Sequence, residues 1–290
     1  MHPLLLAAMP FGETLGLGAV AGFTIFLGLP LGRVRALQGR PRVVLAMLAV
    51  GILLYIFLDV GSHGVEILEG ELEAFKHHKE AFGTVVAYYL LLVGGFFVGS
   101  VGITTVEQRL KARSQPAVAG GAVPAAQAAT AEIGHHDNPT TTRLRLAMTV
   151  AAAIGLHNFA EGLAIGVSAA TGAVALATVL VIGFALHNST EGFAIVGPLG
   201  EVRPSRRWLA LAGLIGGGPT FLGTLVGYEV SSRPLELLFY ALAAGALAYV
   251  IGEIWGGMRR FGYRQAALIA LSVGFLIGVL TDLVVTYGGA

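Results

Sequence analysis

Cysteine is absent from the 290 residues. That excludes disulfides and thiolate ligands, so any metal site must use nitrogen and oxygen donors. Charge is scarce too. Asp, Glu, Lys and Arg make up 12% of the chain, against about 25% in a soluble domain. The net charge of +1 leaves no basic footprint for nucleic acid, and none is expected as a partner. No signal peptide is expected either: the N-terminus lacks a basic n-region, and Pro3 and Pro10 bracket too short an apolar run.

What is present is apolar. Hydrophobic residues reach 55% and mean hydropathy is +0.77. Runs of roughly 20 apolar residues recur, each long enough to cross a bilayer. The pattern predicts an all-α polytopic membrane protein, a single membrane domain of eight spans at 13–32, 42–61, 82–106, 146–168, 173–197, 208–229, 235–256 and 265–287. Basic residues orient the map, because Lys and Arg stay cytoplasmic. Arg33, Arg35, Arg40, Arg42, Arg109, Lys111, Arg113, Arg143, Arg145, Arg203, Arg206, Arg207, Arg259, Arg260 and Arg264 fall on one side, fifteen of the 18. Lys76, Lys79 and Arg233 fall on the other. Both termini are therefore expected outside the cytoplasm of a multi-pass cell-membrane protein.

Loop 107–145, rich in Ala, Gly, Gln, Pro and Thr, reads as a flexible cytoplasmic linker. Its His135, His136 and Asp137 are read as solvated. Loop 62–81 carries His63, Glu66, Glu69, Glu71, Glu73, His77, His78 and Glu80. Such a cluster would raise the local cation concentration; an ordinary solvated helix end is the equal alternative.

Two stretches organise the rest. IGLHNFAEGLAIG runs from Ile154 to Gly166, and FALHNSTEGFAIV from Phe184 to Val196. At an offset of thirty they align His157 with His187, Asn158 with Asn188, Glu161 with Glu191, and Gly162 with Gly192. The i, i+4 spacing puts each His and Glu on one helix face. Carboxylates inside a membrane are costly unless paired or coordinated. A lone intramembrane His is usually a hydrogen-bonded core residue, the reading preferred for His63 and His2. A doubled motif is not. Imidazole nitrogens with carboxylate and amide oxygens suit Zn²⁺, Fe²⁺ and Mn²⁺. The candidate metal site is thus His157, Asn158, Glu161, His187, Asn188 and Glu191.

Fainter echoes pair LLYIFLDV (53–60) with LAYVIGEI (247–254), hence Tyr55 with Tyr249 and Asp59 with Glu253, and GFFVGSVG (95–102) with GFLIGVLT (274–281). Echoing spans run in opposite directions. The layout is that of inverted repeats, spans 1–3 with 6–8 and span 4 with span 5, which place a substrate site near the midplane. Asp59 and Glu253 are candidates for a second polar cluster, or for capping. Gly162 and Gly192 admit a close backbone, and Gly216, Gly217, Gly218 and Pro219 are expected to break span 6.

The paired HNxxEG motifs, the eight spans, the outward N-terminus and the His-bearing loop after span 3 resemble the ZIP family of divalent metal transporters over essentially the whole chain. The resemblance implies a site between spans 4 and 5 flanked by spans 1 and 6, often with two metals bridged by the glutamates. It implies a homodimer moving Zn²⁺, in some members Fe²⁺, Mn²⁺ or Cd²⁺, into the cytosol, with spans 1, 4, 5 and 6 sliding against 2, 3, 7 and 8. The ion is cargo, not a cofactor, and the protein is not an enzyme. This sequence departs in two places. Ala160 and Thr190 stand where many members have Pro before the motif Glu, and Gly218 stands where many have Glu before a span-6 Pro. Two dications about 4 Å apart repel by roughly 16 kcal/mol at an effective dielectric near 20. Lacking that third carboxylate, the site is expected to hold one metal tightly and a second weakly. The alternatives are an iron or manganese transporter of the same fold and an intramembrane metal-dependent hydrolase. The latter is disfavoured by the absence of HExxH.

Overall fold

The computed structural model describes residues 8–34, 39–113, 139–172, 174–230, 232–259 and 261–288. Every regular element among them is helical. In chain order they are α1 (Phe11–Phe23, continued by Ile25–Gly28 and the 3-10 turn Leu29–Arg33), α2 (Arg40–Lys76), α3 (Phe82–Phe97, continued through a π-turn at Val98–Gly102 into Ile103–Arg113), α4 (Pro139–Ala170), α5 (Val174–Val196), α6 (Arg206–Glu229), α7 (Arg233–Arg259) and α8 (Arg264–Gly288). Seven candidates among the described residues are long and apolar enough to cross a membrane. The protein is a polytopic membrane protein.

Local chemistry sets the ends. Ser205 caps α6, its hydroxyl accepting from the Trp208 N–H at 3.1 Å. The α4–α5 turn passes through Gly172 at φ 81°, and the turn before α6 through Gly200 at φ 65°. A side chain is strained at such angles. The helix begun at Arg40 does not stop near residue 61. No proline interrupts it, the stretch is rich in Glu and Leu, and it stays helical to Lys76. The acidic stretch is therefore mostly a helical extension. Glu71 within it, 6% exposed, pairs with Arg233 at the start of α7, 3.4 Å away. The candidate linker 107–145 is helical at both edges; His135, His136 and Asp137 lie outside the described residues, as does His2.

Sequence reasoning predicts a break in span 6, but α6 runs unbroken through Pro219. Proline removes one N–H, which would otherwise serve the Ile215 carbonyl. The Gly155 backbone packs against that carbonyl, and the Asn158 amide donates to the next one, Gly216 O, at 2.9 Å. Proline is tolerated in membrane helices where neighbouring helices pack around it.

The densest core lies toward the arginine-rich end. There Ile25, Leu29, Met47, Val50, Ile154, Ile195, Leu199, Val250 and Ile254 are all at most 1% exposed. Toward the opposite, acidic end a cavity opens between α2, α4, α5, α7 and α8 and leads to the site.

Candidate functional site

Each HNxxEG motif divides its labour around the helix. The asparagine and glycine face a neighbouring helix, and the histidine and glutamate face one another across α4 and α5. Asn158 of α4 donates to Gly216 O of α6, and a Cβ at Gly162 would sit 2.0 Å from Thr220 O, one turn further along α6. Asn188 of α5 donates at 3.1 Å to Ala21 O of α1, and a Cβ at Gly192 would sit 2.1 Å from Ile25 O, again one turn further. Positions 21 and 25 map onto 216 and 220 by one shift of 195. The same shift takes Gly22 onto Gly217, and these two glycines cross reciprocally, each lying against the other's carbonyl. The missing Cβ atoms let four helices touch backbone to backbone, the small-residue packing that membrane helices rely on.

The other face of each motif converges. His157 Nε2 lies 3.1 Å from Glu161 Oε1 and 3.6 Å from Glu191 Oε1. His187 Nε2 hydrogen-bonds the same Glu161 Oε1 from the other helix. The two imidazole rings stand 6.4 Å apart, tilted by 33°. Candidate ligand atoms of His157, Glu161 and His187 fall within 4.8 Å of one another. His157 and Asn158 are fully buried, and so are Asn188, Glu191 and Glu161 to within 4%.

The group is rich in lone pairs and poor in donors. Glu161 Oε2, both Glu191 oxygens and the Asn158 and Asn188 Oδ1 acceptors are buried without a hydrogen-bond partner, as are His157 Nδ1 and the Thr220 hydroxyl. The asparagine orientations are dictated by chemistry. A carbonyl acceptor at Gly216 or Ala21 demands the NH₂ end, which leaves each Oδ1 turned away from that contact. No Lys or Arg reaches these oxygens in any ion pair among the described residues. Unpartnered buried acceptors cost about 1–3 kcal/mol each, and a cation is what such a set is built to receive.

A cavity of about 400 Å³ leads to Glu161 and His187. Tyr55, Asp59 and His63 of α2, Tyr240 of α7, and Thr281 and Asp282 of α8 line it. Its mouth is solvated: the side chains of His63 and Asp59 are 49% and 36% exposed. His63 Nδ1 contacts the Asp59 carbonyl at 2.9 Å and its ring stacks on Tyr240 at 5.5 Å, so it is a rim residue and not a core one. The cavity reaches the site from the acidic end, while the far side is sealed by packed core. Of the two equivalent acids, Asp59 lines the cavity and Glu253 does not. Asp282 was missed by sequence reasoning. It stands alone in span 8, outside any motif, and only the rule that an intramembrane carboxylate is functional by default would have flagged it.

Residues 104–282 match the family described as ZIP Zinc transporter. The chain is similar to Zinc transporter ZIPB of Bordetella bronchiseptica, 31% identical over 153 residues, 51% of this chain and 48% of that protein. It is also similar to Zinc transporter GufA of Myxococcus xanthus, 31% identical over 151 residues, 51% of this chain and 59% of that one. The matches thus span about half the length of these curated relatives. With the family match covering more than half of its residues, the chain belongs to the ZIP family of metal transporters.

Proposed function

We propose that the protein carries a divalent metal ion, zinc foremost, across the membrane through a site formed by His157, Glu161, His187 and Glu191, with the Asn158 and Asn188 oxygens at its edge. The observation that carries the reading is the buried, donor-poor convergence of two imidazoles and two carboxylates. Four ligands at 2.0–2.2 Å from a tetrahedral zinc stand about 3.3–3.6 Å apart. The His157 Nε2 distances of 3.1 Å to Glu161 and 3.6 Å to Glu191 bracket that edge length. Binding an ion would part the direct His187–Glu161 contact and draw Glu191 in toward the other three ligands. Two carboxylates neutralise one dication, so the site holds one ion tightly.

The remaining parts of the reading follow from this site. Helices α1 to α8 form eight spans with both termini outside. The shared shift of 195 supports inverted repeats, with α1 equivalent to α6 and α4 to α5. A site open to one end and closed to the other is one state of an alternating-access cycle. The ion enters from the acidic end past Asp59 and Asp282 and leaves into the cytosol, and the unit is a homodimer.

The test is zinc flux into sealed proteoliposomes without organic substrate, with Fe²⁺, Mn²⁺ and Cd²⁺ as competitors. Saturable zinc uptake is expected, lost in Glu161→Ala and His157→Ala. Parental flux in either variant would overturn the assignment, because the deletion removes a ligand while costing only about 1–3 kcal/mol in stability.

A further inference from the structure

A second cavity, of about 490 Å³, lies far from the metal path, at the arginine-rich end between α2, α7 and α8. Met47, Trp255, Met258, Ala267 and Leu268 form its apolar walls, and Arg259, Tyr263 and Arg264 its polar rim. We propose that it is a binding site for the headgroup and upper acyl chain of an anionic phospholipid.

The placement argues for an amphiphile. Arg259 ends α7 and Arg264 begins α8, so both stand where helices leave the hydrocarbon. Leu268, one turn deeper on α8, is 43% exposed, and Tyr263 equally so. The pocket therefore opens sideways to lipid as well as to the interface. Trp255 sits at that depth, as interfacial tryptophans do. Neither arginine forms an ion pair with a carboxylate among the described residues. Two guanidinium groups and a phenol match phosphate oxygens, bidentate at each arginine. The apolar wall beneath them has no use for free phosphate but fits an acyl chain. Basic pockets between membrane helices recognise anionic headgroups by this combination.

Trp255 is the built-in reporter, since the chain has only 2 tryptophans. In Trp208→Phe, dibrominated phosphatidylglycerol in mixed vesicles should quench Trp255 at a mole fraction on the order of tenfold lower than dibrominated phosphatidylcholine. Arg259→Gln/Arg264→Gln should abolish the difference, whereas Arg206→Gln/Arg207→Gln, on the same end of the bundle, should keep it. Native mass spectrometry of the unsubstituted chain should retain phosphatidylglycerol and lose it in the Arg259/Arg264 variant. Equal quenching by both lipids, a preference surviving in that variant or lost in the Arg206/Arg207 one, or displacement by millimolar inorganic phosphate would overturn the proposal.

Discussion

Gly162→Ala is the sharpest single test of how the site is held. The new Cβ would fall 2.0 Å from Thr220 O and 2.8 Å from Thr224 N. Both are backbone atoms and neither can rotate away. Since Cβ contacts below 3.0 Å are essentially never seen, α4 and α6 must part by about 1 Å. Overpacking of this kind costs about 1–3 kcal/mol. The displacement also falls one residue from Glu161, in a site whose ligand distances tolerate about 0.2 Å. If the whole cost reaches the bound state, zinc affinity drops by roughly 5- to 150-fold. Gly61→Ala and Gly252→Ala are the controls. A Cβ at either meets nothing within 4 Å, so both should be neutral or stabilising by up to about 1 kcal/mol. The assays are zinc uptake in proteoliposomes and thermal unfolding with and without zinc. Parental affinity and uptake in Gly162→Ala would refute the close-packing argument.

Asn188→Leu and Asn158→Leu should each destabilise by about 1 kcal/mol through loss of the buried hydrogen bond to Ala21 O or Gly216 O, read by thermal unfolding without metal. Asp59→Asn and Asp282→Asn should slow uptake at low zinc more than at saturating zinc, since they act on the approach and not on the site; equal loss at both concentrations would place them elsewhere. Gly70→Cys and Thr171→Cys should react with an impermeant thiol reagent added outside cells, and Arg203→Cys should not; the reverse pattern would invert the topology. Anomalous scattering at the zinc edge should show one full peak between α4 and α5. Two full peaks without a bridging anion would show the charge argument to be wrong.

The candidate site was legible because HNxxEG occurs twice at a fixed spacing, and helical periodicity alone puts each His and Glu on one face. What the motif asparagines and glycines do was less legible. Their partners, Gly216, Thr220, Ala21 and Ile25, are ordinary residues whose contribution is a carbonyl, and backbone acceptors leave no trace in a sequence. The break expected in span 6 failed for the same reason. Pro219 signals a lost hydrogen bond, but Gly155 and Asn158, some sixty residues away in the sequence, pack against α6 beside it. The helix past residue 61 was obscured by its polarity, because a hydropathy window ends where the membrane ends and not where the helix does. Asp282 carried its signal only in its depth.

The reciprocal crossing of Gly22 and Gly217 bears on how this protein can drift in evolution. A ligand has substitutes: one oxygen donor can replace another at some loss of affinity. An absent Cβ has none, because every alternative to glycine adds an atom where a carbonyl already stands. A saturation scan should therefore find Gly22, Gly162, Gly192 and Gly217 at least as intolerant as the histidines and glutamates. The scaffold, more than the chemistry, then sets the number of sequences that can perform this task.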